Sequence, residues 1–187
     1  MDKFSYENDA DKISDLNFLI MSRLTPIKNV NTSLKIFFNL LKKFPGSKLH
    51  VVGEFSNEIY KEECLNIINN SNMAESVRLH GQLERSSVFQ ILRDSHIFIQ
   101  MSDSEGFSNS ILEAQAAGLF LILSSGCNYM PNNKHGVIYD NANRIDDLVL
   151  EIKNRCDKAS ISQQAFDKYS IQTLANHYTS VIEGLND

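Results

Sequence analysis

Cysteine is scarce in this 187-residue chain, and the three present, Cys64, Cys127 and Cys156, are an odd number at wide spacings. That argues against a disulfide framework or a thiolate zinc site and fits free thiols in a reducing cytoplasm. No large basic block occurs, and the formal net charge is −5. Nucleic-acid binding through phosphate neutralisation does not fit that balance. No apolar run approaches the ~18–20 residues that span a bilayer. The polar, charged stretch Met1–Asp15 does not read as a secretory signal. Also absent are a Walker-type phosphate loop, a Gly-x-Gly-x-x-Gly fingerprint after the first apolar run, a Ser/His/Asp triad and a metal-ligand cluster. The five histidines are scattered. His50 and His80 alternate with apolar neighbours and read as structural, while His135, beside Gly136, has no assignable role.

What is present is an ordinary globular composition, 42% apolar and 22% charged, in a length suited to one substantial core. Met1–Asp15 reads as a polar arm or linker remnant, and residues 16–187 as one domain with C-terminal helices. Leu16–Met21 has a strand's length. Asn29–Lys43 repeats apolar residues at a helical period, through Val30, Leu34, Phe37, Phe38 and Leu41, and Pro45-Gly46 ends it. The alternation continues with a strand over Leu49–Val52, a helix over Glu58–Asn70, a strand over Val77–His80 and a helix over Ser86–Arg93. A strand over His96–Gln100 comes next, then a helix ending at Gly118, then Leu119–Leu123. Strands this uniformly apolar are buried on both faces, as in a parallel sheet. The expected fold is a doubly wound α/β sheet, Rossmann-like, closed by helices over Asn143–Asp157 and Ile161–Leu185.

In such sheets ligands bind beyond the carboxyl ends of the strands. Arg23, Lys28, Gly53, Gly81 and Glu105 each follow a strand and should collect along one edge. The segment Ser104-Glu105-Gly106-Phe107-Ser108-Asn109-Ser110-Ile111-Leu112-Glu113 places one carboxylate on a glycine-containing loop. It places a second, seven residues later, in the first turn of the next helix. Amides at a helix start attract phosphate, and carboxylates accept strong hydrogen bonds from sugar hydroxyls. Each residue also has a plainer role. Glu105 could be a solvated loop carboxylate, Arg23 and Lys28 surface charges, and Ser110 with Glu113 a capping box. Phe37, Phe38 and Phe98 read as core.

The run from Ser104 to Gly118 resembles the donor-site signature of retaining glycosyltransferases of the GT-B type, in particular glycosyltransferase family 4. Ser22–Val30, Lys48–Glu54, Val77–Gly81 and Gly136–Tyr139 resemble that family's neighbouring strands and loops, so the likeness covers almost the whole chain. The resemblance implies a domain that binds a nucleotide-diphosphate sugar for retaining transfer to an acceptor in glycan synthesis. Arg23 and Lys28 would neutralise the diphosphate, helped by amides around Gly106, Phe107, Ser108 and Asn109. Glu105 would contact the donor sugar as the catalytic residue, and Glu113 would hold the ribose. The base would pack near Gly81, Gln82 and Leu83. No cofactor and no metal are expected. The expected location is the cytoplasm, at the inner membrane face where a partner domain carries it there.

The chain departs from the family pattern in two stretches. Gly118-Leu119-Phe120 replaces the usual Gly-x-Pro, which a buried Phe120 tolerates. Gly126–Asn132 lacks the usual acid. In the family a second, acceptor-binding N-terminal domain completes the site. The expected partners are therefore the nucleotide sugar and that missing domain or a partner chain. Self-association through a stripe of Leu174, Tyr178, Val181, Ile182 and Leu185 is also expected. The alternative is a non-catalytic or split-enzyme domain that binds a nucleotide sugar or a partner.

Overall fold

The computed structural model describes residues 15–106, 108–131, 135–140 and 144–155. Phe107, Cys156 and the expected helix over Ile161–Leu185 with its apolar stripe lie outside the described residues, as do residues 1–14 of the arm.

Six strands form a single sheet among the described residues: β1 (Asn17–Met21), β2 (Lys48–Val52), β3 (Val77–Gly81), β4 (Ile97–Gln100), β5 (Phe120–Leu123) and β6 (Gly136–Ile138). Their order is β3-β2-β1-β4-β5-β6, and every pairing is parallel. The intervening helices are α1 (Val30–Leu41), α2 (Glu58–Asn69), α3 (Arg85–Asp94), α4 (Asn109–Ala116) and α5 (Ile145–Arg155). This is the doubly wound, Rossmann-like α/β fold expected from the alternating pattern, with element ends shifted by one or two residues.

The layers follow from side-chain alternation along each strand. Phe18 and Ile20 of β1 face a core shared with α1, α2 and α5. Leu19 and Met21 face the opposite core, with α3 and α4. β5 is buried along its whole length, which is why it carries no polar residue. Full burial of each such apolar side chain contributes about 1.5–3 kcal/mol. Phe37, Phe38, Phe98 and Phe120 all lie in the core. Gly118, at φ +80°, follows the α4 C-cap Ala117 as its sequence position suggested.

Two details differ from the sequence expectation. His96 lies outside β4; its backbone N–H donates to Asn17 O (2.8 Å) and its Nδ1 accepts the Asn17 N–H (3.1 Å). The Ser110–Glu113 capping box does not form. The N-cap is Ser108, so Glu113 stands beyond the first turn of α4, and the Ser110 hydroxyl is drawn instead to the buried Gln100 amide.

The order reverses between β1 and β4. The chain winds outward through β2 and β3, then returns to the other side of β1. Loops after β1 and β4 therefore diverge and open a crevice at the carboxyl end of the sheet.

Candidate functional site

Both loops flanking the crevice are held by short-range chemistry. The loop after β1 passes through a tight turn at Pro26–Lys28 and reaches α1 through Asn29, which adopts a left-handed conformation. The loop after β4 is tied to it twice. Asp103 N–H donates to Ile27 O (2.9 Å), and Asn29 Nδ2 donates to Asp103 Oδ1 (3.1 Å). Behind them, Ser124 Oγ donates to Ser102 O (2.5 Å) and the Cys127 thiol to Gln100 O (3.1 Å). Gly126 packs so closely on the backbone of Ser102 and Asp103 that a Cβ would collide there.

Across this crevice Lys28 and Glu105 form an ion pair through Lys28 Nζ and Glu105 Oε1, with only 8% of the glutamate side chain exposed. The same oxygen accepts Gln100 Nε2 at 2.6 Å and Ser102 Oγ at 2.8 Å. Three donors on one carboxylate oxygen fix its direction, and the charge strengthens each bond.

A cleft of about 400 Å³ is lined by residues that include Ser22, Arg23, Gly53, Gln82, Leu83, Ser110 and Glu113. The strand-end loops after β1, β2 and β3 meet α4 there. Gly53 adopts φ +131°, and a Cβ would strike the Ser22 carbonyl oxygen, so only glycine lets the β1 and β2 loops approach this closely. Gly81, at φ +66°, accepts the Gly53 N–H through its carbonyl (2.8 Å). It lines an adjoining cavity of about 390 Å³ rather than the main cleft. Arg23 is exposed and makes no ion pair among the described residues. Glu113 lies 3.8 Å from the solvent-exposed Arg85 guanidinium, a separation at which such a surface pair contributes little.

The sequence-derived residues thus form two groups, joined through Gln100 and Ser110. Arg23, Gln82, Leu83 and Glu113 line the cleft, and Lys28 and Glu105 pair with each other. Gly106 is exposed, with open space where a Cβ would stand. Asn109 begins α4, and Ser108 caps it without a side-chain bond to the helix amides. The first amides of α4 therefore remain available to an anion.

A family model for glycosyl transferases group 1 matches residues 6–173. The chain belongs to that family. Against the "Probable sucrose-phosphate synthase" of Thermosipho melanesiensis it is 26% identical over 191 aligned positions, covering 97% of this chain and 45% of that protein. Among solved structures, Anabaena HepE in complex with UDP-glucose superposes with a TM-score of 0.72 at 15% identity, covering 91% of this chain and 49% of that one. The GtfA/B complex gives 0.70 at 18%, covering 93% and 37%. These neighbours share the GT-B glycosyltransferase fold. The chain spans between 22% and 45% of the length of the curated relatives it matches.

In this group 1 transferase domain two functional candidates escaped sequence reasoning, Gln100 and Ser102. The available signal was a polar residue closing the otherwise apolar strand Ile97-Phe98-Ile99-Gln100. Ser110, read as a capping residue, instead lines the cleft.

Proposed function

We propose that this chain is the donor-binding, C-terminal domain of a retaining family 4 glycosyltransferase and that its cleft takes a uridine-diphosphate sugar. One observation carries the proposal. Arg23 and Glu113 line a single cleft at the carboxyl end of the sheet, and the Lys28–Glu105 pair is linked to it through Gln100 and the cleft residue Ser110.

In this reading Glu113 accepts the ribose hydroxyls, while Gln82 and Leu83, next to Gly81, border the base. The diphosphate lies over the start of α4, between Arg23 and Lys28, with the amides of Gly106, Ser108 and Asn109 available to it. As the sugar–phosphate bond breaks, negative charge builds on the leaving diphosphate. Fixed cations and helix amides stabilise that charge without reorganisation, so the arrangement needs no metal. Glu105, released in part from Lys28 as the phosphates arrive, accepts a hydroxyl of the donor sugar. The acceptor site is supplied by another domain or a separate chain, and the protein works in the cytoplasm. The UDP-glucose held by the HepE neighbour supports the choice of nucleotide.

Calorimetric titration of the chain with UDP, GDP and ADP, and with their glucose conjugates, tests this reading. Binding of UDP and UDP-glucose in preference to the purine nucleotides is expected. Absence of binding by all of them would refute the assignment.

A further inference from the structure

Gln100 is the one polar residue of β4, and it is 3% exposed. An apolar side chain would suit this strand, and a buried amide without partners costs about 1–3 kcal/mol. Here every partner belongs to the candidate site. Nε2 donates to Glu105 Oε1 at 2.6 Å and reaches Ser102 and Ser108 Oγ at 3.3 Å each. Oε1 accepts the Ser110 hydroxyl at 3.0 Å. Ser110 and Ser108 are themselves 3.0 Å apart.

We infer that Gln100 is the positioning residue that holds Glu105 towards the donor sugar, with Ser110 of α4 as the second anchor of its amide. This rests on the proposed contact between Glu105 and the donor sugar. The orientation of the amide follows from chemistry. An ionised carboxylate only accepts, so the nitrogen must face Glu105 and the carbonyl must face Ser110. Gln100 is anchored at the end of a central strand, so it transmits the position of the sheet to the carboxylate. Lys28 is a point charge on a flexible stem and sets no comparable direction. All three donors to Glu105 among the described residues use Oε1, which leaves Oε2 to accept a sugar hydroxyl. Through Ser110, the same amide reaches the cleft that Arg23 and Glu113 line.

Two variants test the role. Gln100→Leu removes the amide and keeps an apolar strand end. Gln100→Glu keeps the shape but sets a carboxylate against Glu105, and two ionised carboxylates this close repel until one takes up a proton. Acidification adds a proton to the pair and restores an O–H donor, so the Gln100→Glu defect should shrink as pH falls from 8 to 5.5. Binding is measured calorimetrically with UDP and with UDP-glucose on the full chain, with folding checked by circular dichroism. For Gln100→Leu we expect UDP affinity within about threefold of wild type and UDP-glucose affinity about tenfold weaker, the loss of one charge-assisted contact. For Gln100→Glu we expect the same selective loss at pH 8 and recovery at pH 5.5, against a wild-type control at both values. Equal weakening of both ligands without pH recovery, or no change at all, would overturn the inference. If the wild-type chain binds neither ligand, it is the proposed function that fails. A crystal structure of Gln100→Leu then decides the positioning role. A carboxylate displaced by about 1 Å or more supports it, and an unmoved Glu105 overturns it.

Discussion

At the scale of single residues, the site is a set of charges placed by loops that glycines and short hydrogen bonds hold in shape. Lys28 is half-way between a structural and a functional cation, since 19% of its side chain is exposed and Glu105 already neutralises it. Lys28→Ala and Arg23→Ala are each expected to weaken UDP binding about tenfold, the worth of one charge-assisted contact. Thermal unfolding should be little changed. Calorimetry on the two variants checks this, and unchanged affinity in both, with the fold intact, would remove them from the phosphate site. Gly53→Ala belongs to a different class. Its φ of +131° and the Ser22 carbonyl oxygen in the way of a Cβ make any side chain strained. A loss of about 1–3 kcal/mol in urea unfolding is expected, together with weakened UDP binding, because the cleft wall moves with it. Most of the charged residues were legible in the sequence, because they follow strands or sit in a recognisable run. Gln100 was not, because an amide at a strand end carries no local pattern; its partners lie two to ten residues away and meet it only through folding.

At the scale of elements, two side-chain contacts knit the sheet and its helices. Tyr60, on α2, accepts the Val30 N–H through its hydroxyl oxygen (2.8 Å) and so satisfies the start of α1. Asn29 cannot do this, as it makes no side-chain cap bond to that helix. Burial pushes the Tyr60 phenol up to about 12, so the group stays a neutral hydroxyl at any working pH. Tyr60→Phe should therefore cost about 1–3 kcal/mol, the penalty for a buried unpaired N–H, measured by urea denaturation. The second contact joins β2 to β3. His50 Nδ1 and His80 Nε2 lie 2.9 Å apart, with the rings nearly parallel. Burial first, then His80 and Arg78, lower the His50 pKa from its ordinary 6.5, partly offset by Asp94. Burial and Arg78 lower that of His80. Both groups bind protons more readily unfolded than folded, so their contribution is complete above pH 6.5 and is lost as pH falls below it. Urea midpoints should drop between pH 7.5 and 5.5, and His50→Gln should flatten that slope. A slope unaltered by the substitution would show that other groups carry it. The sequence marked these histidines as structural from their place among apolar strand residues, but their pairing required the β2–β3 register, which sets His50 opposite Arg78.

At the scale of the whole molecule, the sheet order places the candidate site where the winding direction changes. The domain by itself is expected to bind UDP-glucose and to transfer no sugar until an acceptor-binding domain or chain is supplied. A transfer assay with the chain alone and with such a domain added checks this, and unaided transfer would show that the acceptor site is already present. The sequence by itself determined the alternation of strands and helices, because periodicity and burial are written locally in the apolar pattern. It also determined the family and the identity of most candidate charges, since those reside in short contiguous runs. Only the tertiary structure decided that Lys28 pairs with Glu105, that Ser110 serves Gln100 rather than a helix cap, and that Arg23 shares a cleft with Glu113. The physical reason is that each of these depends on which strands become neighbours. The reversal between β1 and β4 brings together Lys28 and Glu105, 77 residues apart in the chain, and no local propensity encodes that adjacency.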